Sequence, residues 1–234
     1  MKIGIINGSP RGKKSNSEIL IKYLCSLLKE HQINKYYLFS SKIHSEIKSE
    51  IHNADALIFA FPLYVDSIPS HLLDTIVKFE EEKIVNSKTK IYCIANNGFF
   101  EGKQNQLAIL QMKNWCKKIG AEWGQGVGIG AGEILSYLEN VPLGKGPLKN
   151  LGKALNQLSN NMITIDRKRD LLTGSGVITG VSGSGKSMAV KINEIIPNLL
   201  RYPDDEIIIV DPENEYGDIG RKFNAQVIDL SIGS

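Results

Sequence analysis

Two loops in this 234-residue chain carry the residue types that cradle phosphate. The first reads Gly8-Ser9-Pro10-Arg11-Gly12-Lys13-Lys14-Ser15-Asn16-Ser17 and follows the apolar run Lys2–Asn7. It offers hydroxyls at Ser9, Ser15 and Ser17, the Asn16 amide and the Arg11 guanidinium, all where a helical pattern opens. Unpaired backbone N–H groups and the positive end of a helix dipole favour an anion at such a place. The same residues also fit a capped helix start, with Ser15 or Asn16 as N-cap and Glu18 completing the first turn. The loop alone leaves both readings open. The second loop, Gly180-Val181-Ser182-Gly183-Ser184-Gly185-Lys186-Ser187, satisfies the P-loop pattern in full, after an apolar strand and at the start of a helix. Gly180, Gly183, Ser184 and Gly185 would wrap the phosphates of ATP, Lys186 would reach the terminal ones, and Ser187 would hold magnesium.

The elements needed to position the first loop alternate in period. Strands are expected at Lys2–Asn7, Lys35–Phe39, Ala56–Ala60, Lys90–Ala95 and Glu122–Ile129. Amphipathic helices are expected at Ser17–Glu30, Ser41–His52, Pro69–Lys83, Gln104–Ile119 and Pro147–Asn160. Five strands alternating with five helices imply an α/β fold, a doubly wound five-stranded parallel sheet with its ligand beyond the carboxyl ends of the strands. After about residue 161 the pattern restarts, with strands at Gly176–Gly180, Glu206–Val210 and Gln226–Leu230 around a helix at Lys186–Leu200. The expected organisation is therefore a first domain at 1–162 and a truncated P-loop segment at 163–234.

Charge supports that division. Residues 1–162 hold 20 Lys and Arg against 14 Asp and Glu, whereas residues 163–234 hold 8 against 11. The lysines are scattered over helices rather than clustered, so direct nucleic-acid binding is not expected. No apolar run is long enough to cross a bilayer, and no signal-peptide pattern opens the chain. Cys25, Cys93 and Cys116 show no metal-ligand spacing and are expected as buried thiols in a cytoplasmic protein.

On the loops just quoted, residues 1–160 resemble the NAD(P)H-dependent FMN reductases of the flavodoxin-like family. Gly-Ser-Pro-Arg followed by Ser-Asn-Ser is similar to that family's phosphate loop. Phe61-Pro62-Leu63-Tyr64, then Ile68-Pro69-Ser70 and Leu72-Leu73, resembles the segment along the flavin ring. Asn96-Asn97-Gly98-Phe99 resembles the loop at the ring's polar edge. The resemblance implies that Ser9, Arg11, Ser15, Asn16 and Ser17 bind the FMN phosphate. It implies Pro62, Leu63 and Tyr64 on one side of the ring, with Asn97, Gly98 and Phe99 on the other. The implied reaction is hydride transfer from NAD(P)H to the flavin and delivery to a small-molecule acceptor. The cofactor supplies that chemistry, so no side chain is assigned as acid or base. Glycines 124, 126, 128, 130 and 132 allow either close packing of the fifth strand or approach of a second copy, a homodimer through the flavin face; both stay open.

The second segment resembles the opening of conjugative-transfer ATPases of type IV secretion, through its P-loop, Asp204-Asp205-Glu206 and Asp211-Pro212-Glu213-Asn214-Glu215-Tyr216. That family's magnesium-binding acidic strand would come later than Ser234, so this segment is expected to bind ATP rather than turn it over. The leading expectation is an FMN-dependent NAD(P)H oxidoreductase with an appended ATP-binding-type segment. The alternative is a component of a transfer or secretion machine in which ATP binding matters and the flavodoxin-like half is a docking module. A third is a fusion whose second part has no function.

Overall fold

The computed structural model describes residues 1–38, 43–164, 170–173 and Arg221. The chain divides into two compact units, Met1–Val177 and Ile178–Ser234. The P-loop residues Gly180, Gly183, Ser184, Gly185, Lys186 and Ser187 lie outside the described residues, as do the strands and helix expected around them.

Within the first unit, strands β1 (Lys2–Asn7), β2 (Gln32–Tyr37), β3 (Ala56–Pro62), β4 (Lys90–Asn96), β5 (Glu122–Ile129) and β6 (Leu171–Thr173) form one sheet. Their order is β2-β1-β3-β4-β5-β6, and every pairing is parallel. The central strands β1, β3 and β4 are near-continuous apolar runs because both of their faces are covered. Helices α1 (Asn16–Leu27) and α5 (Lys149–Thr164) cover one face, where Leu20, Leu24, Leu151, Leu155 and Leu158 pack on Ile5, Ile58 and Ile94. Helices α2 (Ser45–His52), α3 (Ser70–Glu81) and α4 (Gln106–Lys118) cover the other. There the Phe59 ring meets Trp115 edge-on at 5.6 Å, and the Trp115 indole N–H donates to the Ile76 carbonyl at 3.1 Å.

The five expected strands are present, and a sixth extends the sheet. Three residues are too few to show a period, so β6 has no sequence signal of its own. Neighbouring polar groups specify it instead. The Gly130 N–H donates to the Thr173 carbonyl at 2.9 Å. The Asp170 carboxylate accepts from the Gly126 N–H at 2.7 Å and from the Trp123 indole at 3.2 Å. Strand β2 starts three residues earlier than its apolar pattern suggests, since Gln32, Ile33 and Asn34 pair with Lys2, Ile3 and Gly4 at a sheet edge that tolerates polar residues.

The glycines of β5 meet atoms of their own chain. Gly124 is the extra residue where the β4–β5 register shifts, and a Cβ there would stand 2.3 Å from the Tyr92 ring. At Gly130 it would stand 2.0 Å from the Phe100 carbonyl oxygen. Close packing within the domain therefore accounts for these glycines without a second copy. Cys93 and Cys116 are buried as expected, and burial pushes the Cys116 thiol up to about 12; Cys25 is only half-buried.

Candidate functional site

Because the strands are parallel, the segments after β1, β3 and β4 leave from one end of the sheet. Because β1, β3 and β4 are adjacent, those segments are also neighbours. The Asn96 side chain joins all three. Its Nδ2 donates to Ser17 Oγ and to the Phe61 carbonyl, both at 3.0 Å, and the Asn96 backbone carbonyl accepts from the Leu63 N–H at 2.7 Å.

In the first segment Ser15 is the N-cap of α1, its Oγ accepting from the Glu18 N–H at 3.2 Å and donating to the Gly12 carbonyl at 2.6 Å. The helix-cap reading is thus realised, and it leaves the site's capacity for anions intact. The N–H groups of Asn16 and Ser17 lie in the first helical turn and have no partner within the helix. Ser9 and Ser17 are buried, their Oγ atoms accepting from the Arg11 N–H and from Asn96 respectively and keeping a proton to donate. Arg11, Lys13 and Lys14 are exposed along the loop, and the Lys13 ammonium lies 5.5 Å from the centre of the Tyr37 ring. Glu18 does not close a capping box. Its carboxylate turns beneath the loop to Asn7, Tyr37 and Lys35, and burial, with the hydrogen bond to Glu18, holds the Tyr37 hydroxyl up at about 12.

The segment after β3 is a tight hairpin in which Tyr64 and Ser67 exchange two backbone bonds of 3.0 Å. Its two central residues, Val65 and Asp66, have φ of 48° and 57°, the backbone of a two-residue turn with both centres left-handed. Gln111 of α4 fixes it, its Oε1 accepting from Ser67 Oγ at 3.0 Å and from the Ile68 N–H at 3.3 Å. Pro62 and Leu63 are half-buried at its base, and Tyr64 is 46% exposed. After β4, Asn97 is buried and donates through Nδ2 to the Glu101 carbonyl at 3.2 Å. Its Oδ1 has no partner. Gly98 faces the Glu133 carboxylate, which a Cβ there would approach to 3.0 Å, and Phe99 is 61% exposed. The segment after β5 closes this side, where the Gly132 N–H donates to the Asn97 carbonyl at 2.7 Å.

The family described as NADPH-dependent FMN reductase matches residues 1–89, and the family described as Helicase HerA, central domain, matches residues 150–232. The fold is similar to an NADPH-quinone reductase from P. pentosaceus at 15% identity and a TM-score of 0.52, over 68% of this chain and 98% of that one. The first unit is flavodoxin-like. A second solved structure, described as flavone reductase, has 12% identity and a TM-score of 0.52 over 72% of this chain and 66% of that one. No curated protein matches. The reductase match spans the flavodoxin-like domain's loops after β1 and β3 and stops before Asn97, Gly98 and Phe99. The Helicase HerA match begins inside α5 and takes in β6, both elements of the flavodoxin-like unit, before entering the P-loop segment.

The residues at this end of the sheet fit a flavin mononucleotide. The first-turn N–H groups, the Ser9 and Ser17 hydroxyls and Arg11 suit its phosphate. The buried, unpartnered Asn97 Oδ1 is an acceptor waiting for a donor such as a ring imide. Tyr64 and Phe99 offer exposed aromatic faces. Sequence reasoning gave no role to Asn7 or Glu133, placed Glu18 only in the first turn of the helix, and quoted Asn96 within its loop without assigning it a function. Asn7 and Asn96 each end a buried strand, and a polar residue closing an apolar run was the available signal.

Proposed function

We propose that the flavodoxin-like domain binds FMN and works as an NAD(P)H-dependent oxidoreductase. Bound FMN supplies the chemistry: it accepts hydride from a reduced nicotinamide and delivers electrons to a small-molecule acceptor. The observation that supports the reading is the junction of three segments at Asn96: the serine-rich start of α1 after β1, the hairpin with exposed Tyr64 after β3, and the segment after β4 with the unpartnered Asn97 Oδ1 and exposed Phe99. Ser9, Arg11, Asn16 and Ser17 hold the phosphate, with Ser15 shaping the turn through its cap. Pro62, Leu63, Tyr64, Asn97, Gly98 and Phe99 line the ring. No protein acid or base is required. The FMN domain runs through β6, and the following segment holds ATP and magnesium through Lys186 and Ser187, a role that the HerA-family match supports.

The domain associates with a second copy beside this site. Tyr64, Val65, Leu73, Val77, Leu107 and Leu110 leave apolar surface exposed on the hairpin, α3 and α4. Helix α3 adds the exposed carboxylates of Asp74 and Glu81 and α4 the ammonium groups of Lys113 and Lys117, opposite charges that a two-fold pairing of the helices would set together; Glu80 and Lys118 already pair within the chain at 2.6 Å. Among the described residues no helix is long and apolar enough to cross a membrane. The test is anaerobic titration of FMN-loaded protein with NADH and NADPH. Bleaching of the flavin absorbance is expected; a protein that gives no spectral change with excess FMN defeats the reading.

A further inference from the structure

We infer that Asn7 is a positioning residue for the phosphate loop, its amide held in one orientation by the buried carboxylate of Glu18; this rests on the FMN reading above. Asn7 ends β1 and is 2% exposed. Its Oδ1 accepts from the Ser9 N–H at 3.0 Å. Its Nδ2 donates to the Gly12 carbonyl at 3.2 Å and to Glu18 Oε2 at 3.0 Å, and lies 3.5 Å from Ser15 Oγ. One amide thus ties down the first loop residue, the left-handed turn at Gly12, where φ is 52°, and the cap of α1.

The orientation admits no reversal. Turned over, the amide would set its NH2 against the Ser9 N–H and its oxygen against the Gly12 carbonyl and the Glu18 carboxylate. Glu18 is itself fixed from the far side, accepting from Tyr37 OH at 2.9 Å and pairing with Lys35 at 3.4 Å. With Ser15 Oγ also donating to Gly12 and capping the Glu18 N–H, bonds within the chain fix the backbone from Ser9 to the first turn of α1. Such preorganisation lowers the cost of ordering the loop when a ligand arrives. The benefit falls on the phosphate, because the hydrogen bonds of the Asn7 side chain go to the loop and the first turn of α1.

FMN and riboflavin differ by that phosphate, so their affinity ratio reads the loop. The full chain, freed of flavin, is titrated with each by fluorescence quenching, as wild type, Asn7→Ala, Asn7→Asp and Tyr37→Phe, with thermal melts alongside. Asn7→Ala is expected to lower the FMN-to-riboflavin affinity ratio about tenfold. Asn7→Asp, which sets a second carboxylate against Glu18, is expected to do at least as badly. Tyr37→Phe, which loosens Glu18 from outside the loop, lowers the ratio less and answers the question if the Asn7 variants do not fold. A role confined to stability moves both affinities together, and an unchanged ratio overturns the inference. Wild-type protein that takes up neither flavin defeats the FMN reading instead.

Discussion

The two halves of the candidate site are built differently. On the phosphate side a polar network runs from β1 through the loop into the first turn of α1, and its members Asn7, Ser15 and Glu18 are all buried. On the ring side the backbone is held by a hairpin with two left-handed residues, by Gly132 and by the sheet edge, while Tyr64 and Phe99 remain exposed. On the proposed FMN reading, the difference follows from what each half would meet. A phosphate is small, charged and fixed in shape, so a closed network can be complete before it arrives. A planar ring and a changing second substrate need apolar surface that stays open. The ring side therefore leans on elements distant in sequence, and the network of Asn7, Ser15, Glu18, Lys35 and Tyr37 on the phosphate side joins residues within about thirty positions of one another, Asn96 on Ser17 being its long-range tie.

The largest break in that comparison comes from the chain's own boundary. Ending the chain at residue 162 removes β6 and Asp170, leaving the Gly126, Gly130 and Trp123 donors without their partners. Water can meet those donors at the freed edge of β5, so each lost bond is worth roughly 0.5–1.5 kcal/mol. The 1–162 fragment is expected to melt well below a 1–177 fragment and to lose riboflavin affinity with it, while a phosphate-dependent preference for FMN survives. Equal melting temperatures would show that β6 adds nothing to the ring side.

Asn96→Ala comes next, because Asn96 is where the halves meet. Losing its bonds to Ser17 and Phe61 is expected to cost about 2 kcal/mol in denaturant titrations and to weaken FMN and riboflavin together. An effect on FMN alone would place Asn96 wholly on the phosphate side. Arg11→Ala sharpens the contrast: loss of a charge-assisted bond to phosphate, about 1.5–3 kcal/mol, should weaken FMN tenfold or more and leave riboflavin and the melting temperature unmoved. Phe99→Ala is the mirror case, expected to weaken both flavins equally by a few-fold with no change in stability, since the side chain is exposed.

The smallest effect is in alkaline solution. The Tyr37 hydroxyl, donating to Glu18 and held at about 12, keeps its proton in the folded chain where the unfolded chain loses it near 10. Between those values the unfolded state binds fewer protons, so stability falls as pH rises. Tyr37→Phe should flatten that part of the decline in a melting series from pH 9 to 12, and a curve that superimposes on wild type would detach Tyr37 from the network.

Much of the molecule is written in local pattern. The apolar runs of β1, β3 and β4 and the helical stripes of α1, α3 and α4 follow from burial on both faces of a parallel sheet, a demand that each segment meets by itself. The phosphate loop was legible for the same reason, since its glycine turn, hydroxyls and cap lie in consecutive residues. Tertiary structure alone decided the rest. Strand β6 has three residues and exists because β5 offers an edge and Asp170 caps it. The glycines of β5 left two explanations open until Tyr92, Ile109 and Phe100 were seen to fill the space above them. The roles of Asn7, Glu18 and Asn96 depend on partners brought together by strand order, and a hydrogen bond between residues 79 positions apart, as from Asn96 to Ser17, leaves no trace in either neighbourhood of the sequence.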